Sequence, residues 1–585
     1  MKYSDQIAEW LVNLGYTHFF FVSGGNIMHL LNSFSKKLIP IPVIHEVAAG
    51  IAAEYFNETS DNNKAFALVT AGPGVTNILT AIAGAYLESR DLLVIGGQVK
   101  TADLSRGKLR QRGIQEIDGI ALVKSITKTA FLMDRVVNFK KFCSLFAKNN
   151  SERPGPIFIE IPLDIQARIT NFPITNINTF PCAAMKKVSK VNISMVAKKI
   201  FSSKRPVILI GGGVSRSVAL KFKDKLELIN IPIMTTWNGA DRISADQKNY
   251  RGRPNTWGQR SANLIIQQSD LVIAIGTRLS LQQTGFNWKS FVPNGKIIHI
   301  DIDKKELQKK HPKTTLTLEG DANHFLINLL KCKLGNHIEW INYSALIRNL
   351  IPLVEDVNKT RKNFLSPYSF VSTLSKITNS SDIIIPCSSG SAFTVMMQTY
   401  EQKYKQKIVT NKGLASMGYG LSGAIGAAIA NPKKRIILVE GDGGFAQNLQ
   451  EIGTASINKL NIKIFIFDDS GYASIRATQK NYFGGKYIGC DRKTGLGIPD
   501  WKKLFSVWGI NAFIIKKLTL TDKTFKTNFS KKGTVAFIIK IDPEQTYFPK
   551  ITSFVTKNGS MQSKPLHKMS PDLPENIYKK VSRYL

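Results

Sequence analysis

Cysteine is sparse and poorly placed for cross-linking: Cys143, Cys182, Cys332, Cys387 and Cys490 are an odd, scattered set with no C-x-x-C pair. That excludes a disulfide framework or a cysteine zinc site and fits a reducing compartment. Long apolar runs are missing too. No stretch approaches the ~18 residues of a membrane span, and the first residues carry Lys2, Asp5 and Glu9 on an amphipathic segment, unlike a basic leader with an apolar run behind it. The expectation is a cytoplasmic protein with no membrane partner. Acid is in short supply as well, 42 Asp and Glu against 79 Lys and Arg, a net charge of +37. Such a balance raises nucleic acid as a partner. Yet the bases come as scattered doublets (Lys36-Lys37, Lys198-Lys199, Lys304-Lys305) with neither a basic tail nor an aromatic-interleaved stripe, so a solvated surface and no nucleic acid are expected. One stretch is locally dense: Arg106, Lys108, Arg110 and Arg112.

What the chain does have is length and a regular alternation. Its 585 residues are about four times a typical domain. Apolar runs at His18–Val22, Ala65–Thr70 and Leu92–Ile95 each precede or carry glycines and are joined by segments of helical period. That alternation predicts an α/β fold of doubly wound parallel sheets, whose ligands sit at the carboxyl ends of the strands. The pattern divides into residues 1–170, 190–340 and 365–545, with an irregular linker near 171–190 and a Pro-, Ser- and Lys-rich tail at 546–585 that is a candidate lid. The first and third regions share a strand–glycine–helix layout.

The strongest local signal is Ile436-Ile437-Leu438-Val439-Glu440-Gly441-Asp442-Gly443-Gly444-Phe445, followed 27 residues after Asp442 by Asp469 at the end of another apolar run. A strand ending in Gly-Asp-Gly-Gly offers backbone N–H groups to a phosphate and a hard oxygen ligand to Mg²⁺. A glutamate at the start of a helix stands in Ile44-His45-Glu46-Val47-Ala48-Ala49, and two further glycine-rich turns read Gly72-Pro73-Gly74-Val75-Thr76-Asn77 and Gly413-Leu414-Ala415-Ser416-Met417-Gly418-Tyr419-Gly420. On these residues the sequence resembles the thiamine diphosphate (ThDP)-dependent enzymes of the acetolactate synthase group over nearly its whole length.

The resemblance implies roles. Glu46 would be the catalytic acid at N1′ of the cofactor's aminopyrimidine, and Gly72, Pro73 and Asn77 would line that ring. Met417 and the Ala415 carbonyl would set the cofactor's V shape. Gly441, Asp442, Gly443, Gly444, Gly390 and Ser391 would hold its diphosphate, and Mg²⁺ would take Asp442, Asp469 and the Gly471 carbonyl. Gln115, in an Ile114-Gln115-Glu116 match to the family's F-Q-E, is a candidate for polarising a substrate carbonyl. In the middle region Gly211-Gly212-Gly213, Arg278, Asp301 and Asp321 match elements that hold FAD in the family. Arg216 stands where a dinucleotide G-x-G-x-x-G needs its last glycine, against NAD, and Gln282 replaces a family arginine, so FAD and an empty nucleotide fold both remain open.

Three departures bear on substrate. Asp468-Asp469 replaces the family's Asn-Asn. Gly390-Ser391-Ala392 replaces G-Q-H. Ser474 and Thr478 stand where the synthase has methionine and tryptophan. The expected activity is a carboligase that decarboxylates a 2-oxo acid such as pyruvate and passes the two-carbon unit to a second carbonyl, either a 2-oxo acid or a keto sugar. The basic cluster Arg106–Arg112, with Arg476 and Lys480, would hold an anionic substrate. A homodimer or homotetramer is expected, Glu46 of one subunit facing Asp442 and Met417 of the next. The rivals are a non-ligating 2-oxo acid decarboxylase, for which no adjacent histidine pair is present, and a degenerate ThDP fold acting as a binding partner.

Overall fold

The computed structural model describes residues 1–172, 185–516, 522–556 and 558–585. Most of the expected linker, with Cys182, lies outside them. Three parallel sheets form the body. The first holds β1 (Tyr16–Phe21), β2 (Ile39–Pro42), β3 (Lys64–Val69), β4 (Leu93–Gln98), β5 (Thr129–Leu132) and β6 (Ile157–Pro162) in the order β2-β1-β3-β4-β6-β5. The second holds β7 (Pro206–Ile210), β8 (Ile233–Thr235), β9 (Leu271–Ile275), β10 (Lys296–Asp301) and β11 (Leu316–Glu319), ordered β11-β10-β9-β7-β8. The third holds β12 (Ile383–Ile385), β13 (Lys407–Ile408), β14 (Ile436–Gly441), β15 (Ile462–Asp468), β16 (Ala512–Ile515) and β17 (Val535–Lys540), ordered β13-β12-β14-β15-β17-β16. The first and third orders are the same permutation.

Continuous apolar strands are what a sheet covered on both faces requires. In β1, Phe19 and Phe21 pack with the helix Tyr3–Asn13 and its Trp10, whereas Phe20 between them packs on the other face. The third sheet divides likewise, Leu438 and Ile464 to one layer, Ile437 and Phe465 to the other. One layer is common to both sheets. It contains the helices Glu46–Thr59 and Tyr419–Ala430, which lie against each other. Their approach is close enough that a Cβ on Gly426 would run into the Ala52 carbonyl oxygen, so the small residues of both helices are a packing requirement.

The tail continues the body. From Leu566 it joins the core of the second sheet, with Val581 of the helix Glu575–Val581 buried in the same cluster. Arg260 Nη1 donates to the Met569 and Pro571 carbonyls at 2.9 and 2.7 Å. The segment read as a lid is therefore clamped, in its second half, onto the middle of the molecule.

Candidate active site

Glu46 opens the helix Glu46–Thr59 at the carboxyl edge of the first sheet. His45 caps that helix through its Nδ1, which accepts from Val47 N at 3.1 Å. A carboxylate in a first helical turn is favoured by the unpaired N–H groups there. Glu46 is only 7% exposed, and Asn77 Nδ2 donates to its Oε2 at 2.9 Å. Asn77 belongs to the helix Pro73–Glu88, which starts from Gly72. That glycine has φ +61°, and a Cβ on it would strike the Gln115 carbonyl oxygen. The turn at Gly72 and the segment at Gln115 thus touch, 43 residues apart in sequence. Gln115 is itself left-handed (φ +62°) and exposed.

Further along the Glu46 helix, Glu54 accepts from Arg90 Nη1 at 2.5 Å, Asn411 Nδ2 at 3.1 Å and the Tyr419 hydroxyl at 3.3 Å. Burial pushes its carboxyl up to about 7, opposed by the Arg90 charge. This hub joins the Glu46 helix to the start of the helix Tyr419–Ala430, right after the Met417 segment. A second tie is Glu451, whose carboxylate accepts from Ile44 N at 3.1 Å, His45 N at 3.0 Å and the Thr454 hydroxyl at 2.6 Å. No local motif marks Glu451. It lies 407 residues from Ile44, and only the fold reveals it.

At the carboxyl edge of the third sheet, Asp442 is fully buried. Its Oδ1 accepts from Gly443 N at 2.7 Å and its Oδ2 from Gly471 N at 3.0 Å. Burial, with Asp469 and Asp468 beside it, raises its pKa well above the usual carboxylate range. Burial raises Asp469 too, against the pull of Arg476. Three buried carboxylates at the ends of the neighbouring strands β14 and β15 carry a charge that a divalent cation relieves. Among the described residues no three His, Cys, Asp or Glu side chains are set to hold a metal unaided. The donor set suits a hard cation that takes its remaining oxygens from a backbone carbonyl and a diphosphate. Space for the latter is at hand, because a Cβ on Gly441 or Gly390 would meet nothing within 4 Å. Gly443 instead lies against the Tyr472 ring. Gly444 sits in the short helix Asp442–Phe445.

Two basic residues turn out differently from the sequence reading. Arg476, expected to hold a substrate anion, is buried and donates through Nη2 to the Asp469 carbonyl at 2.8 Å and Oδ1 at 2.6 Å. Lys480 pairs with Glu544 at 2.6 Å in the open. Lys540 pairs with Asp468. The two charges added by Asp468-Asp469 therefore each have a cationic partner. Arg476 lies on the inner side of the helix Ala473–Tyr482, while Ser474 and Thr478, one turn apart, are exposed on it. Ser474 Oγ is 3.3 Å from Ser391 Oγ.

The methionine segment is held from behind. Ser388 Oγ bonds the Ser416 carbonyl, and Asn448 Nδ2 donates to Gly418 O at 2.7 Å. Ala415 adopts φ +57°, Cys387 +52° and Ser470 +67°, so strained backbone gathers at this site, as functional segments often show. Met417 is 37% exposed. No side-chain hydrogen bond among the described residues joins the Glu46–Asn77 pair to Asp442 or Met417.

The residues matched to FAD are mostly engaged. Asp301 Oδ1 accepts from Arg153 Nη2 at 2.8 Å and from Asp303 N at 2.9 Å. Asp321 caps the helix Ala322–Leu329 through Asn323 N and His324 N. A Cβ on Gly211 or Gly213 would press on Gly276, and Arg242 donates to the Gly212 and Val214 carbonyls. Of the set, Arg278 alone presents a side chain with no hydrogen bond or ion pair among the described residues. These residues do not offer a flavin nucleotide free carboxylates.

Three family models match the chain: thiamine pyrophosphate enzyme, N-terminal TPP binding domain, over residues 1–122; its central domain over 193–329; and its C-terminal TPP binding domain over 388–539. The chain is 32% identical to a probable acetolactate synthase large subunit of Methanocaldococcus jannaschii over 564 residues, 93% of each chain. It is 27% identical to the acetolactate synthase isozyme 2 large subunit of Escherichia coli over 578 residues, 96% of this chain and 100% of that one. The isozyme 1 large subunit of the same organism matches at 28% over 539 residues, 91% and 92% of the two chains. No helix among the described residues is long and apolar enough to cross a membrane. The chain belongs to the acetolactate synthase-like family of ThDP- and Mg²⁺-dependent enzymes, which couple decarboxylation to carbon–carbon ligation.

Proposed function

We propose that this enzyme decarboxylates a 2-oxo acid, pyruvate first among them, and transfers the two-carbon unit to a second carbonyl compound, a hydroxyl-rich keto sugar in preference to another pyruvate. The observation that carries the reading is the pairing of a shielded Glu46–Asn77 bond at one sheet's carboxyl edge with a buried acid cluster at the same edge of a sheet of identical order. When bound, ThDP supplies the carbon nucleophile and the electron sink. The chain's own groups do the rest. Glu46 holds and moves a proton at the aminopyrimidine nitrogen, with Asn77 fixing the carboxyl orientation. Gly72 and Pro73 would line that ring, and Met417 with the Ala415 carbonyl would set the cofactor's bent shape. Asp442, Asp469 and the Gly471 carbonyl would hold Mg²⁺, and Gly390, Ser391, Gly441, Gly443 and Gly444 would line the diphosphate. Gln115 would polarise a substrate carbonyl oxygen.

The keto-sugar preference is supported by Ser474 and Thr478, exposed on one side of their helix where the family has methionine and tryptophan, and by Ser391, whose Oγ lies 3.3 Å from Ser474 Oγ. Assembly from two copies is supported by the exposure of Met417, at 37%, and of Ile44, 50% exposed beside Glu46. Incubating the holoenzyme with pyruvate, alone and with a panel of keto sugars, and weighing the products tests the reading. Products two carbons heavier than the sugar support it, and rapid acetolactate formation with no sugar adduct contradicts the acceptor. The visible absorption spectrum of the purified protein decides the flavin question directly. Mixing Glu46→Gln chains with Asp442→Ala chains should restore activity if sites form between copies.

A further inference from the structure

Between the end of β4 and the helix Gly119–Val123 the chain makes a loop shaped by one buried carboxylate. Glu116, 4% exposed, accepts from Arg112 N at 2.9 Å, Gly113 N at 3.0 Å and Ser105 N. Burial works to raise this acid, but the amide donors outweigh it and hold its pKa down at about 2. Gly113 lies against Val99, and Arg106 is tied to Asp134 at 3.2 Å. The loop is thus built around an interior anchor using backbone groups, which leaves the intervening side chains to point elsewhere. Lys108, Arg110 and Arg112 are exposed, and none has a hydrogen bond or ion pair from its side chain among the described residues. The acids nearby do not answer them: Glu116 is spent on amides, Asp134 on Arg106, Asp164 on Thr101 and Asp118 on Ala121 N, leaving Asp103. Three unanswered cations therefore stand on a preformed scaffold. Its last turn, Gln115, touches Gly72 and so adjoins the Glu46–Asn77 pair.

Guanidinium groups match phosphate oxygens in a two-pronged geometry, and three cations exceed what one carboxylate needs. We propose that Lys108, Arg110 and Arg112 form a docking site for a phosphate or diphosphate group on the acceptor, so that the acceptor is a phosphorylated or nucleoside-diphosphate-linked carbonyl compound. This rests on the ligase reading of the same site, with the hydroxyls of Ser391, Ser474 and Thr478 facing the polyol part. Because the loop is held by main-chain amides, replacing the three side chains leaves its scaffold intact.

The test uses holoenzyme saturated with ThDP and Mg²⁺, so that the cofactor's diphosphate cradle is filled, and titrates it with inorganic phosphate, pyrophosphate and UDP by calorimetry. Wild type should bind at least one of the three, with affinity falling steeply as salt rises. The triple variant Lys108→Gln/Arg110→Gln/Arg112→Gln should bind about tenfold or more weakly. A variant with the same loss of charge elsewhere, Lys198→Gln/Lys199→Gln/Lys304→Gln, should bind as wild type does. UDP tighter than pyrophosphate points to a nucleotide-linked acceptor, and equal binding points to a simple phosphate ester. No binding by wild type, equal binding by the triple variant, or equal weakening in the control variant overturns the proposal. Release of CO2 from pyruvate by wild type keeps the two readings separable: CO2 without phosphate binding removes the docking site alone, and phosphate binding without CO2 removes the ligase reading.

Discussion

The first and third sheets have the same strand order, and both carry their chemistry at the carboxyl edge, yet they are equipped in opposite ways. The first edge offers Glu46, with an amide partner and, among the described residues, no cation bonded to it. The third holds Asp442, Asp468 and Asp469 with Arg476 and Lys540 as counter-charges. On the proposed reading, topology supplies a ligand edge in each case and the side chains decide whether that edge moves a proton or binds a metal. The division has a physical logic. A proton-transfer acid must change protonation, so it is lightly bonded and shielded. A metal cradle must stay anionic, so its carboxylates are fixed by backbone amides and neighbouring cations.

The largest expected contrast is in cofactor retention. Asp442→Ala should lose both turnover and Mg²⁺-dependent ThDP binding, the latter by about a hundredfold, since it removes a charged ligand from a closed site; quenching of intrinsic fluorescence by ThDP measures it. Next comes pH. Each sheet hides one further acid that burial pushes up to about 8, Glu160 in the first and Glu440 in the third. A carboxyl whose folded pKa lies above its unfolded value stabilises fully at low pH and loses that contribution as pH rises through the folded value. Thermal stability should therefore fall between about pH 5 and 8, and Glu160→Gln or Glu440→Gln should each reduce the slope of that fall by up to about 1.4 kcal/mol per pH unit. A smaller effect tests the counter-charge. Arg476 competes with the metal for the Asp469 carboxylate, so Arg476→Met alone should tighten Mg²⁺ binding by about tenfold, and adding Asp469→Asn should abolish that gain, read by metal titration of the ThDP-bound protein. A single variant as tight as wild type contradicts that pairing. The smallest is Ala415→Gly, which relieves a left-handed alanine and should stabilise by about 0.5–1 kcal/mol in denaturant melts.

Much of this was legible in sequence where function is written locally. Gly-Asp-Gly-Gly after an apolar strand and a glutamate opening a helix are short patterns, and the alternation of strand and helix announced three parallel sheets. Contacts between distant segments were not legible. Glu451 supports the strap before Glu46 from the far sheet, and the Glu54–Arg90–Tyr419 hub joins segments hundreds of residues apart. Arg476 shows how a basic residue is misread from composition: its position seven after Asp469 and its opposition to Ser474 and Thr478 on the helix were available, but its burial was not. The tail looked lid-like by its prolines and lysines, although Leu566 and Val581 are the residues that dock it.

The division of labour between the two edges is tested most directly by Glu46→Gln, with ThDP binding and CO2 release from pyruvate measured on the same preparation. The account predicts binding close to wild type, because the metal edge is untouched, and CO2 release reduced by about a hundredfold or more. Unchanged CO2 release, or binding lost together with turnover, would contradict it.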